Sequence, residues 1–313
     1  AGRDKSRSPM HALDRTPERP LRATATISLT DVDLERSSSS SAPFESRDKE
    51  GAPSSSCYVA ELCAGSAGLS FALSRAGFST VTVDHDANRH KSKVPCVKLD
   101  LALDSGWKLL YDLLESDKLL YVHGAPPCGT ASRARERKVP LHLIAKGAPN
   151  PQPLRSDEFP EGLPGLSGIN LDKVLKANEL YKRMAKFFIA CCEKGVAFSV
   201  ENPTRSLMWL TVWFAELLDR SDVAEARFQQ CMHGGSRDKW SSWYTNLPLL
   251  MRLVKVCDNS HTHKPWGLQE RGGLWTFHTA EEAAYPGELC DTVANAVAEH
   301  AASRGISLVQ PAA

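Results

Sequence analysis

From residue 57 onward, short apolar runs alternate with longer stretches whose apolar positions recur every third or fourth residue. "CYVAEL" (57–62) reads as a strand, "CAGSAG" as a glycine-rich turn and "LSFALSRAGF" as a helix. "STVTVDHD" is a second strand ending in acids, and "CVKLDL" is a third candidate. "GWKLLYDLLESDK" is an amphipathic helix, and "LLYVHGAPPC" is a fourth strand. A long helix covers "LDKVLKANELYKRMAKFFIACCEKG", with Gly195 placed to end it as a C′ residue. "VAFSVENP" is a fifth strand, followed by a helix over "SLMWLTVWFAELLDR". Strands alternating with helices predict an α/β fold with a mainly parallel sheet covered on both faces. Ligands of such sheets bind outside the carboxyl ends of the strands. Glu61, Asp84, Asp100, Cys128 and Glu201 fall at those ends.

Residues 1–56 break this pattern. They are rich in Ser, Arg, Asp and Pro, with too few apolar positions to build a core, and read as a disordered tail. The 313 residues carry a formal net charge of only +1, so affinity for nucleic acid must come from local patches. No apolar run is long enough to span a bilayer, and no membrane partner is expected. The nine cysteines are scattered without a framework spacing. They are read as mostly reduced, in an intracellular protein that is not secreted.

Gly65 and Gly68 allow a tight turn beside a ligand, although a plain strand–helix turn explains them equally well. Asp84 ends the second strand, where a carboxylate accepts from ribose hydroxyls, and Asp100 is placed to accept from an adenine amino group. Acids at successive strand ends point to a nucleoside-containing cofactor. In "HGAPPCGTASRARERK" two prolines give Cys128 a defined exit from the sheet, beside positive charge that favours the thiolate. Glu201 in "ENP" either caps the next helix or serves as the acid beside that nucleophile. Arg133, Arg135, Arg137 and Lys138 either position phosphates or form a solvated loop. "CDNSHTHKPW" places Cys257, His261 and His263 close together, with Cys231 and His233 upstream. Cys231, Cys257, His261 and His263 are a candidate structural zinc set, though His-x-His is common without metal. Trp240, Trp243, Trp266 and Trp275 share this part of the chain, as core of a second lobe or as stacking platforms.

"ELCAGSAGLSFALSRAGF", "VDHD", "LDL", "APPCGTAS" and "ENP" together resemble the ordered motifs of the DNA cytosine-5 methyltransferase family. "HGGSRDKW" and "ANAVAEHAA" are similar to its later motifs, and the resemblance covers roughly residues 57–303. It departs from the family at Glu61, Ala67, Gly129, Pro203 and Lys239, and in the longer separation of Cys128 from Glu201. The resemblance implies a Rossmann-like S-adenosylmethionine-dependent methyltransferase sheet with a small second lobe. It divides the chain into a tail (1–56), a cofactor-binding and catalytic domain (57–225), a target-recognition-like lobe (226–289), a returning helix (290–303) and a tail (304–313).

The same resemblance implies S-adenosylmethionine as cofactor, held by Glu61, Gly65, Gly68, Asp84, Asp100 and Asn295. Its implied activity is methyl transfer to C5 of cytosine in DNA. Cys128 would be the nucleophile, Glu201 the acid, and Arg237 and Lys239 the groups orienting the base. The same chemistry on RNA, or an inactive nucleic-acid-binding relative, are the alternatives. A nuclear location follows if the source is eukaryotic.

Overall fold

The computed structural model describes residues 57–308. The tail expected over 1–56, and residues 309–313, lie outside them. In chain order the elements are β1 (Tyr58–Leu62), α1 (Gly68–Arg75), β2 (Ser79–Asp84), β3 (Val97–Lys98), α2 (Lys108–Glu115), β4 (Leu119–Gly124) and α3 (Leu141–Ile144). They continue with α4 (Gly168–Glu193), β5 (Ala197–Pro203), α5 (Val212–Leu218), β6 (Ala224–Gln229), β7 (Trp240–Thr245), β8 (Leu268–Arg271), β9 (Leu274–Phe277) and α6 (Gly287–Ser303).

Seven strands form one sheet in the order β3-β2-β1-β4-β5-β7-β6. β1 to β5 pair in parallel, whereas β7 runs antiparallel to both β5 and β6. This is an α/β protein with a Rossmann-like sheet, and its strand order reverses between β1 and β4. Alternation along β1 sends Ala60 and Leu62 to one face and Val59 to the other. Ala60 and Leu62 join a core with residues of α2, α4 and α5, including Leu110, Phe187, Phe188 and Phe214. Val59 joins a second core with α1 and α6, through Leu69, Leu73, Leu289 and Val293.

Most predicted elements appear, with local differences. The third strand is only two residues long. The helix expected over 206–220 splits at Thr211 into a 3-10 turn over Leu207–Leu210 and α5. Thr211 donates both its amide (3.1 Å) and its hydroxyl (2.8 Å) to the Met208 carbonyl, which closes the first turn and starts a new one. Helix α4 ends as expected. Gly195 takes φ +66°, and the amides of Gly195 and Val196 reach the carbonyls of Cys192 and Cys191.

The boundaries of the second lobe need correction. Residues 224–245 form β6 and β7 and are hydrogen-bonded into the central sheet, so no separate lobe begins at 226. Trp243 of β7 is fully buried in the main core. What remains apart is the small β8–β9 hairpin and its flanking loops. The final helix begins at 287, and beyond it Ile306 and Leu308 pack on the α6 side of the core instead of trailing away as a tail.

Candidate active site and metal cluster

The turn between β1 and α1 is built from residues in the left-handed region: Cys63 (φ +56°), Gly65 (+57°) and Ala67 (+54°). Such conformations are costly for non-glycine residues and cluster at binding sites. A Cβ on Gly65 would meet no atom within 4 Å, so the turn faces open space. Glu61, 2% exposed, accepts from the Ser70 amide at 2.7 Å and so caps the start of α1. Burial, with the Asp84 charge as a smaller contributor, pushes its carboxyl up to about 7, against hydrogen bonds from Ser70 and Leu69 that pull it down. Gly68 opens α1, where a side chain would meet the Cys290 sulfur.

Asp84 ties this turn to β2. Its Oδ2 accepts from the Gly65 amide (2.6 Å) and the Asn88 amide group (2.9 Å), and its Oδ1 accepts from the His85 amide (2.7 Å). A carboxylate offers about four acceptor positions, so these three bonds leave room for another donor. Asp100 accepts from the Ala102 amide at 3.0 Å and lies 3.4 Å from both His85 and Lys176. Burial opposes its charge, but the amide, Lys176 and His85 together hold its carboxyl below the usual range.

A cavity of about 340 Å³ opens at these strand ends. Cys63, Asp84, Asp100 and Leu101 line it, together with Pro127 and Gly129, the two neighbours of Cys128. A larger groove of about 520 Å³ lies between α2 and α4, walled by charged side chains such as Lys108, Glu179 and Arg183, and shares none of these residues. The acid-bearing cavity has the size and mixed lining of a small-molecule site. Its two carboxylates and apolar walls fit a nucleoside group that donates from hydroxyls and an amine. Asn295 does not line it and stands exposed on α6.

Cys128 is half-buried in the loop after β4. The loop is pinned on both sides: Asn202 donates to the Pro126 carbonyl (2.8 Å), and Tyr181 of α4 donates to the Pro127 carbonyl (2.7 Å). Desolvation raises the thiol, Lys239 pulls it down, and Glu201 pushes it up. The cation acting on Cys128 is therefore Lys239, not the arginine run beside it in sequence. Arg133 pairs with Glu136 and Asp157, while Arg135 donates to the carbonyls of Gly129 (2.6 Å) and Gln152 (2.7 Å). These two arginines brace the loop, and only Arg137 and Lys138 stay exposed.

Glu201 is 6% exposed at the end of β5. Its Oε1 accepts from the Ser241 hydroxyl (2.8 Å) and lies 3.6 Å from Lys239, while Oε2 accepts from the Tyr285 hydroxyl (3.3 Å). It caps no helix. Behind Tyr285 runs a buried chain that the sequence pattern did not reveal. Tyr285 meets His123 Nε2 (3.0 Å), His123 Nδ1 meets Ser199 (2.8 Å), and Ser199 meets Tyr121 (2.5 Å). Burial lowers His123 to about 3, so it stays neutral and relays hydrogen bonds rather than charge. Arg237, paired with Lys239 in the sequence reading, is turned away. It is 3% exposed, donates to Glu281, Glu282 and the Pro265 carbonyl, and packs over Trp266. These contacts tie it to the segments on either side of the hairpin.

Cys231, Cys257, His261 and His263 come together with all four ligand atoms within 4.8 Å of one another. His233 does not join them; it meets the Leu253 carbonyl at 2.9 Å. Among the described residues no helix is long and apolar enough to cross a membrane.

No protein-family model matches this chain, and no curated protein matches it. Among solved structures, a methyltransferase of Entamoeba histolytica is similar at a TM-score of 0.35 with 11% identity, over 68% of this chain. The match spans 58% of that protein's length, a likeness that by itself assigns no activity.

Proposed function

We propose that this protein transfers a methyl group from S-adenosylmethionine to C5 of cytosine in DNA through a transient bond to Cys128. One observation carries the reading: the cavity bearing Asp84 and Asp100 is also walled by Pro127 and Gly129, the residues on either side of Cys128. Asp84 and Asp100 would hold ribose and adenine, and the bound cofactor supplies an electrophilic methyl group. The Cys128 sulfur adds to C6 as the thiol proton is passed on to N3, where Glu201 holds it by hydrogen bond. The ring then carries electron density to C5, which takes the methyl. Loss of the C5 proton to a base expels the Cys128 sulfur, and return of the N3 proton to that sulfur leaves the neutral aromatic ring and the free thiol.

Lys239 lowers the cost of the thiolate, and its ammonium lies 3.6 Å from Glu201. Tyr285 and Ser241 hold the carboxylate at a fixed orientation. A cytosine within a duplex must be flipped out to reach this thiol. Arg137 and Lys138, exposed near Cys128 in the chain, would meet phosphates.

The test uses DNA and RNA oligonucleotides carrying 5-fluorocytosine. Fluorine cannot leave as a proton, so the methylated adduct should persist through denaturation and require S-adenosylmethionine. Cys128→Ala should form none, and Glu201→Gln should form it at least a hundredfold more slowly. Trapping on RNA alone would move the assignment to RNA. Methylation of plain cytosine by Cys128→Ala at the wild-type rate would falsify the mechanism.

A further inference from the structure

We propose that Cys231, Cys257, His261 and His263 form a closed tetrahedral zinc site whose task is structural. The distances argue for it. Bond lengths of about 2.3 Å to sulfur and about 2.0 Å to nitrogen put tetrahedral edges near ~3.3 Å for N–N and ~3.5 Å for S–N. Here His261 Nε2 and His263 Nε2 are 3.1 Å apart. Cys257 Sγ lies 3.7 Å from His261 Nε2 and 3.5 Å from His263 Nε2. Two thiols and two imidazoles at these separations match the soft, mixed donor set that zinc takes. Four protein ligands leave no open position for water, which distinguishes a structural centre from a catalytic one.

The surroundings support the same assignment. Asn259 sits at φ +60° and turns its amide onto Cys257 Sγ at 3.3 Å, the kind of outer hydrogen bond that orients a thiolate ligand. Asp258 caps the turn by accepting from the Ser260 amide at 2.9 Å. The four ligands come from two segments. Cys231 follows β6, while the other three lie on the strap that leads to β8.

Around the cluster the strap is already stitched to the 229–238 segment. The Gln229 amide donates to Lys255, the Cys257 amide to Gln229, the Lys264 amide to Ser236 and the Trp266 indole to Asp238. A metal at the centre of these ties locks the strap onto the segment that carries Lys239. Zinc would then fix the cation facing Glu201 from a distance, without touching the chemistry. This inference does not depend on the proposed methyl transfer, because its readout is metal binding.

The 313-residue chain, purified without added metal, should carry about one zinc per molecule by elemental analysis. Cys257→Ser and His263→Ala should each cut that content at least fivefold, while Cys192→Ser, a thiol on α4, should keep it. Replacing zinc by cobalt(II) should produce the visible bands of a tetrahedral site and a thiolate-to-metal charge-transfer band, a test that needs no variant to fold. Chelation should speed proteolytic cleavage within 254–267 at least tenfold, reversibly. Three outcomes overturn the proposal: wild type that neither holds zinc nor takes up cobalt, Cys257→Ser with full zinc, or cleavage that ignores metal removal.

Discussion

At the scale of single residues, Glu61 shows how burial converts a common acid into a pH-sensitive support. Its carboxylate caps α1 from a nearly dry position, and desolvation raises it to about 7 from an ordinary 4.5. The native protein therefore keeps a proton that the unfolded chain has already lost in this window. Linkage then runs against alkali: the contribution is complete below about pH 4.5 and is lost as pH rises through about 7. At most, roughly 3 kcal/mol is involved. Glu61→Gln keeps an acceptor for Ser70 and removes the charge. Denaturant unfolding should show the variant gaining on wild type by about that amount between pH 5 and pH 8. An equal difference at both pH values would show that the carboxyl titrates normally.

Among elements, the long stretch between β4 and α4 is the least conventional part of the chain. Besides the Arg133 and Arg135 ties, the structure fastens it to the loop that carries Cys128 through a buried side chain. Arg155, 1% exposed, donates twice to the Thr130 hydroxyl (3.2 and 3.0 Å) and once each to the Pro160 carbonyl and the Asn178 side chain (both 2.7 Å). Its guanidinium also lies over the Tyr181 ring at 5.3 Å, and Tyr181 holds the Pro127 carbonyl. Arg155→Met keeps much of the volume but strands those acceptors without donors. Each such loss costs about 1–3 kcal/mol, so with three acceptors stranded a total of about 3 kcal/mol or more is expected in urea unfolding, with faster cleavage inside 145–167. A loss below about 0.5 kcal/mol would mean that the insertion is held by other contacts.

For the whole molecule, the last helix closes the core that the first helix opens. α6 packs on α1 beneath the turn that carries Gly65, and Leu289 and Val293 are fully buried there. Deleting a buried leucine side chain removes its transfer energy and leaves a cavity, so Leu289→Ala should cost about 2–5 kcal/mol. Because α1 begins at the turn proposed to hold the cofactor, the same change should weaken S-adenosylmethionine binding measured by calorimetry, although Leu289 does not line the cavity. Unaltered affinity in the destabilised variant would show that the turn is held by Asp84 and Glu61 alone.

What the chain alone determined was whatever is local. Period-two and period-3.6 patterning marked β1, β2, β4, β5 and α4, because an element's burial pattern is written into its own neighbours in sequence. The strand-end rule brought Asp84, Asp100, Cys128 and Glu201 into view as one candidate set. His261, His263 and Cys257 were legible for the same reason, being within six residues of each other. Partners across long separations were decided by tertiary structure. β7 joins the sheet through antiparallel register with β5, and β6 through register with β7, which local patterning does not encode. Arg133, Arg135 and Arg237 looked like free cations until packing set them against distant carbonyls and carboxylates. Lys239 became the cation beside Cys128, and Tyr285 the support of Glu201, only when β7 and the segment before α6 were folded over the strand ends. A side chain's charge is set by its type, but the field it acts in is set by which remote groups share its burial.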